Sequence, residues 1–456
     1  MVKFKILIFV LLSISLLFDN AKSENLEEAL SNAYVSNPII NSKRAELRSF
    51  DEDVSAATSR FFPNIEVIGS YSETNLKYGE LSKVKTNPLS GSISANQIIF
   101  AGGTLINNRL SAVNKVSAGR ENLNYLEQEL LYDAAEAYFN YLKSEQIVGL
   151  RESNLEVLKE RLIATQIQFD VGELTLTDVA QAEARLSLAI ATLAEARSRM
   201  QGTKANYKSI IGNEPEKLEP YIKKLFIPSS ENEALLFALK QNPIIRFTEK
   251  SEKSSRYQVA SNKGLLSPKI SVSGEYIYAE EGNFLMNEDV DQYQITGTIK
   301  IPIFYGGLNW SNIRKAQEIN TRDKYLIIDS KRQLKKFVKT TYANYKSSLL
   351  KISSTKEQVR ANQIALEGVK QEFQMGTRTT LDILDAEQEN LDARVALVRA
   401  ENNSNISMFL LSFYLGNLSP QNLSLKIDPY DPKINYNRVK NTRIGLKRIQ
   451  VIGNDD

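Results

Sequence analysis

Phe373 to Glu387 reads FQMGTRTTLDILDAE, and Phe169 to Glu183 reads FDVGELTLTDVAQAE. The second stretch lies 204 residues before the first, with Gly, Thr, Asp, Ala and Glu at the same offsets. Working outward from both, the match continues. EALSNAYVSNPII (Glu28 to Ile40) returns as EALLFALKQNPII (Glu233 to Ile245). PNIEVIGSY (Pro63 to Tyr71) returns as PKISVSGEY (Pro268 to Tyr276), 205 residues on. IFAGG (Ile99 to Gly103) returns as IFYGG (Ile303 to Gly307), and Gly212-Asn213 as Gly416-Asn417, both 204 on. The chain is a tandem duplication with a period too long for a solenoid repeat, so it holds two copies of one large unit.

Each copy reads as helix, two strands, long helix, helix. Residues 26–61 look helical, with Pro38 as a break or kink. Strand alternation is clearest in copy two. Ile270, Val272, Gly274, Tyr276 and Tyr278 fall on one face, and Ser271, Ser273 and Glu275 on the other. Tyr293, Ile295, Gly297, Ile299, Ile301 and Ile303 alternate in the same way with Gln294, Thr296, Thr298 and Lys300. Period 2 argues strand. An apolar face with aromatic ends fits a lipid-facing barrel strand; taken alone, it fits a soluble hairpin packed on a core slightly better. After each GG the spacing predicts a long helix, over 104–169 and 307–373, then a shorter one, over 177–211 and 378–415. No proline lies between Pro88 and Pro215 or between Pro302 and Pro420, as helix interiors require. At 1.5 Å per residue the long helix is about 100 Å and the shorter ones about 50 Å. Two short helices end to end match one long one. Each copy therefore reads as a long hairpin, with strands at one end, the Gly172 or Gly376 turn at the other and a seam midway.

Composition narrows the function. There is no Cys and no His, which excludes thiol chemistry, disulfides, His-based acid–base catalysis and the usual zinc sites. With 57 basic and 54 acidic residues the net charge is +3, so nothing points to nucleic acid. Residues 1–23 read as a signal peptide: Lys3 and Lys5, an apolar run from Ile6 to Phe18, then Ala21 and Ser23 at positions that suit signal peptidase. The alternative, a membrane anchor, has a short run and small residues after it against it. Residues 24–213 then form the first copy, 214–230 a linker, 231–425 the second copy and 426–456 a polar tail. No later run is apolar and long enough for a membrane helix. Two strands per copy make four per chain, too few to close a barrel, since the smallest membrane barrels have about eight. If these strands cross a membrane, several chains must share one barrel.

The EAL…NP helix starts, the IFAGG and IFYGG junctions, VGELTLTDV and GTRTTLDILDAE together resemble the TolC family of outer-membrane efflux proteins over nearly the whole mature length. The resemblance implies a mainly α fold with a membrane β-barrel. It implies a homotrimer of twelve strands in outer-membrane lipid, above an α-helical tunnel in the periplasm. It also implies a periplasmic adaptor at the tunnel tip, an inner-membrane RND or ABC transporter, and export of small molecules or proteins. No catalytic residue, cofactor or metal is expected. A periplasmic coiled-coil adaptor is the alternative, but it would not duplicate the whole unit or carry four aromatic-rich strands. An enzyme or binding protein with long helices lacks any phosphate loop or compact α/β pattern.

The duplication supplies its own control for the tip. Positions alike in both copies are read as structural. Gly172 and Gly376 suit a helix-ending turn, and Thr175 with Asp178, like Thr379 with Asp382, fits a capping box. Positions that differ are read as functional. Asp385 stands where copy one has Gln181. It shares a helix face with Asp382, so three chains would gather six carboxylates, an arrangement that favours cations; a solvated acidic helix start is the plainer reading. Arg378 stands where copy one has Leu174, and it is expected to bridge to Thr177 or Asp178 within or between chains. By resemblance, Arg378, Thr177, Asp178 and Phe373 belong to the network that shuts the tip, with Phe373 where the family often has Tyr. The turns Gly172-Glu173-Leu174 and Gly376-Thr377-Arg378 are, on the same grounds, the adaptor-binding surface.

Overall fold

In the computed structural model of the chain, residues 23–78, 82–223, 225–283 and 288–445 are described. The expected leader, apart from Ser23, lies outside them.

Both copies fold in the expected order. Copy one runs α1 (Leu26–Ser36), α2 (Pro38–Ser59), strands β1 (Asn64–Tyr71) and β4 (Leu89–Ala101), then α3 (Thr104–Asp170) and α4 (Leu176–Ile211). Copy two runs α5 (Glu231–Gln241), α6 (Pro243–Gly264), β5 (Lys269–Asn283), β6 (Glu288–Lys300), α7 (Leu308–Gln374) and α8 (Thr380–Leu415). Copy one also holds a short antiparallel pair beyond the two strands expected, β2 (Thr74–Tyr78) with β3 (Ser82–Thr86). A second correction concerns β6, which ends at Lys300, so Ile301 and Ile303 lie beyond it. Pro302 has no N–H to give a ladder, and the strand stops there.

Two compact units each draw on both copies. One takes residues up to Ser42, Asn124–Pro243 and Lys331–Tyr430; the other takes Lys43–Leu123, Ile244–Ser330 and residues from Asp431 on. In the first unit Leu26, Leu30 and Tyr34 of α1 bury against Leu131, Tyr138 and Phe139 of α3, Tyr207 of α4 and Phe409 of α8. The repeated Asn-Pro does structural work here. Asn37 Oδ1 accepts from Ile39 N–H at 2.9 Å, capping α2, while its Nδ2 donates to Ile210 O at 3.1 Å near the end of α4. Asn242 Nδ2 likewise donates to Tyr414 O, near the end of α8, at 2.8 Å. One side chain thus starts one helix and satisfies an orphan carbonyl of another. A tyrosine repeats the same logic. Tyr138 Oη donates to Glu219 O at 2.7 Å, and Tyr342, 204 residues later, donates to Ser229 O at 2.7 Å.

In the second unit the four expected strands form one antiparallel sheet in the order β1-β4-β5-β6. Its register stacks Val67, Ile93, Tyr276 and Tyr293 in one row, and Ile65, Ala95, Gly274 and Ile295 in another. The opposite face carries the row Glu66, Ser94, Glu275 and Gln294 and the row Asn64, Asn96, Ser273 and Thr296. Toward the helices one face is thus apolar and the other polar; farther along the strands the faces mix, with Asp291 and Glu280 in rows of the first face and Ile68 and Ile277 in a row of the second. The C-terminal residues add a short helix, α9 (Lys433–Val439). Asn435 Nδ2 donates to the fully buried Asp51 at 2.8 Å, and the Arg120 guanidinium lies over the Tyr436 ring at 4.6 Å. Burial pushes the Asp51 carboxyl up, against the lowering pull of Asn435 and Arg120.

Candidate functional site

The two turns at the tip are built alike. After α3, Gly172 N–H donates to Phe169 O at 2.9 Å and Glu173 N–H to Gln168 O at 2.8 Å. After α7, Gly376 N–H donates to Phe373 O at 2.9 Å and Thr377 N–H to Glu372 O at 3.0 Å. These are Schellman closures, and they place the glycines at φ +83° and +76°, where a side chain is strained. Each next helix opens with a full capping box. Asp178 Oδ2 accepts from Thr175 N–H at 2.9 Å, and Asp382 Oδ2 accepts from Thr379 N–H at 2.8 Å. Asp178 N–H and Asp382 N–H donate back to the threonine hydroxyls, both at 3.3 Å.

Those bonds favour the charged carboxylates. The Thr175 hydroxyl and then its backbone N–H hold Asp178 below its ordinary value, and the Thr379 N–H and then its hydroxyl do the same for Asp382. The sign follows by linkage. A lowered folded value means stability that is present above the ordinary carboxylate range and lost as pH falls through the folded value. Thr379→Ala is therefore expected to lower the thermal midpoint at neutral pH, with the gap to the parent closing in acid. Helix circular dichroism measures both; a gap constant with pH would refute the cap.

The positions that differ between copies have partners that spacing did not identify. Within one chain Arg378 does not reach Thr177 or Asp178. Its Nε donates to Glu372 Oε2 at 2.7 Å, on the last turn of α7, and both side chains are largely exposed. Thr177 is exposed and Phe373 half-buried. Asp385 is not a bare carboxylate, because it pairs with Arg185 of α4. Asp382 is engaged as the cap. Within a chain, then, neither acid is left without a partner. The turns do approach each other at one point: the buried Thr380 hydroxyl lies beside Asp178, outside hydrogen-bond geometry. Its counterpart in copy one, Leu176, is 68% exposed, as are Val171 at 67% and Met375 at 70%. Gly172, Glu173, Gly376, Thr377 and Arg378 are exposed beside them, and Leu174 is half-buried.

One cluster escaped the sequence reading. Glu387 is 5% exposed, and its Oε1 accepts from Arg161 of α3 at 3.0 Å and faces Lys370 of α7 at 3.5 Å. Its twin Glu183 is exposed. Where copy one has Arg161 copy two has Ala365, and where copy two has Lys370 copy one has Gln166. Comparing the partners, rather than the acids, would have found the cluster.

Comparison with known proteins now bears on these features. The family model described as outer membrane efflux protein matches residues 29–213 and 237–417. The chain is 33% identical over 429 residues to the outer membrane efflux protein BepC of Brucella suis biovar 1 (strain 1330), covering 94% of this chain and 93% of that protein. It is 24% identical over 432 residues to the outer membrane protein TolC of Escherichia coli (strain K12), covering 91% and 87%. Its fold superposes on the Campylobacter jejuni CmeC outer membrane channel with TM-score 0.80 at 16% identity, over 93% of this chain and 91% of that one.

Proposed function

The chain belongs to the outer membrane efflux protein family, and we propose that three copies close one barrel and one helical tunnel for efflux or secretion. The observation that carries this is the sheet. Its edge strands β1 and β6 each have one side without a partner strand among the described residues. Its apolar face is bare: Tyr293 is 84% exposed, Ile295 80% and Val67 75%. A soluble monomer rarely leaves such a patch uncovered, and in lipid an open edge is untenable. Pairing β6 of one copy with β1 of the next satisfies both edges. It turns the apolar face to lipid and the polar face to the lumen. Three copies give twelve strands, as the family resemblance implies.

The protein is an outer-membrane channel that extends into the periplasm, and we read it as a passive conduit rather than an enzyme. The tip turns then lie at the periplasmic end, where an adaptor docks on Gly172, Glu173, Leu174, Gly376, Thr377 and Arg378. The adaptor links the channel to an inner-membrane transporter of the RND or ABC class. Arg378, paired with Glu372 within its own chain, would exchange that partner for Thr177 or Asp178 of a neighbouring chain when the tip shuts. Phe373, Asp382 and Asp385 stand at the same constriction.

Two measurements test this. Outer membranes run on gels without boiling should show a heat-sensitive oligomer; a monomer confined to the soluble periplasm would sink the channel. In planar bilayers, Arg378→Ala is expected to raise single-channel conductance. An unchanged value would remove Arg378 from the gate.

A further inference from the structure

The sheet ends, on its helix side, in a basic site that the channel reading does not require. In copy two the register sets Lys269 directly opposite Lys300. The equivalent pair in copy one is Asn64 opposite Asn96. The same backbone position therefore holds two neutral amides in one copy and two ammonium groups in the other. Like charges directly opposite on a ladder destabilise it, and copy one shows that the fold accepts amides there. Neither lysine forms an ion pair among the described residues.

Both lysines border a cavity of about 360 Å³ together with Arg60, Ser267, Tyr305 and Asn309. Arg60 and Lys269 also border an adjoining cavity of about 730 Å³, where Arg443 joins them. Among the described residues no carboxylate lines either one. Thr104 and Leu105, in the first turn of α3, line the smaller cavity and add the positive end of a helix dipole to it.

Alternation fixes which way the lysines face. Ile270 and Ile299 sit on the apolar face, so Lys269 and Lys300, one residue away on each strand, share the polar face with Ser271, Ser273 and Thr298. The nearest acids on that face among the described residues, Glu66 and Glu275, share one row six residues from Lys269. Six residues of strand span about 20 Å, well beyond the Debye length of about 8 Å at physiological salt. They therefore do not neutralise the lysines.

We propose that Lys269, Lys300 and Arg60 form an anion-selecting neck, which takes phosphate and carboxylate groups where the barrel opens into the helices. The proposal rests on the trimeric channel reading, which would gather the three cations of each chain around one lumen. Rings of Lys and Arg are how pores favour anions.

The test uses the full-length channel in planar bilayers under a KCl gradient. The parent should be blocked by tripolyphosphate. Lys269→Asn with Lys300→Asn, which installs the copy-one pair, should lower the chloride-to-potassium permeability ratio about twofold or more and relieve the block. Asn64→Lys with Asn96→Lys should shift the ratio the other way. A conducting double-Asn channel with an unchanged ratio overturns the neck, and so does a parent that tripolyphosphate does not block. A parent that never conducts counts instead against the channel reading.

Discussion

Glu387→Ala should lower stability by about 2–3 kcal/mol, because removing one partner of a buried ion pair strands the other. The carboxylate is 5% exposed and Arg161 is 24% exposed at its side chain, so the guanidinium would be left largely out of water with nothing to neutralise it. Arg161 Nε already lacks a partner, as does Glu387 Oε2, so little slack exists to absorb the loss. Lys370 is 43% exposed and sits farther off, so Lys370→Ala should cost less, about 0.5–1 kcal/mol. The effect also has a direction in the fold. Arg161 belongs to the copy-one hairpin and Glu387 to copy two, so this pair, with Arg185–Asp385, clasps one hairpin to the other. Thermal unfolding followed by helix circular dichroism reads the stability. Arg161→Met combined with Glu387→Met should recover most of the loss, since a well-packed apolar pair can replace a buried ionic one. If Glu387→Ala melts with the parent, the cluster is not holding the hairpins together.

The same cluster shows why the sequence was legible in some places and not in others. Helix boundaries follow from local chemistry: Asn37-Pro38 and Asn242-Pro243 stop and restart a helix, and Gly172, Gly376, Gly212 and Gly416 end one. Each acts within a few residues, and the duplication printed each twice. Strand faces were legible for the same reason, except at β2–β3, whose alternating stretches TNLKY and SKVKT are only five residues each and too short to stand out. Partners across helices were not legible. The spacing 382/385 places two acids on one face but cannot say that Arg185 meets Asp385, because that depends on how α4 and α8 pack. Arg378 was expected to look across to the other turn; Glu372, six residues back and brought near by the Gly376 turn, is closer. Alikeness between copies misled once: Glu183 and Glu387 match as letters, yet one is solvated and the other buried. In sequence the tail is only polar, because Asn435 and Tyr436 look unremarkable until Asp51 and Arg120 fold against them.

Gly416→Ala is expected to cost about 3 kcal/mol, and its comparison with Gly172→Ala separates two causes of glycine dependence. Both residues have positive φ, +74° and +83°, so both substitutions carry the same backbone strain, about 1 kcal/mol. Their surroundings differ. At Gly172 an added Cβ meets nothing within 4 Å. At Gly416 it would meet Asn242 Cα at 2.7 Å, with Asn242 N and Gln241 C at 2.9 Å. These are backbone atoms at the α5–α6 break and cannot rotate away. Moving them would pull Asn242 Nδ2 from Tyr414 O and open the seam that the Asn-Pro motif closes. Gly212, the copy-one twin at φ +101°, is intermediate, because its Cβ would press on the Ser36 hydroxyl at 3.0 Å, with Ser36 Cβ at 3.9 Å, and a side chain can turn where backbone cannot. The order of thermal midpoints should therefore be Gly172→Ala highest, Gly212→Ala between and Gly416→Ala lowest. Equal losses at Gly172 and Gly416 would mean that φ alone matters and that the seam is not tightly packed. The predicted order would show that copy two closes its seam against backbone, where copy one closes it against a hydroxyl.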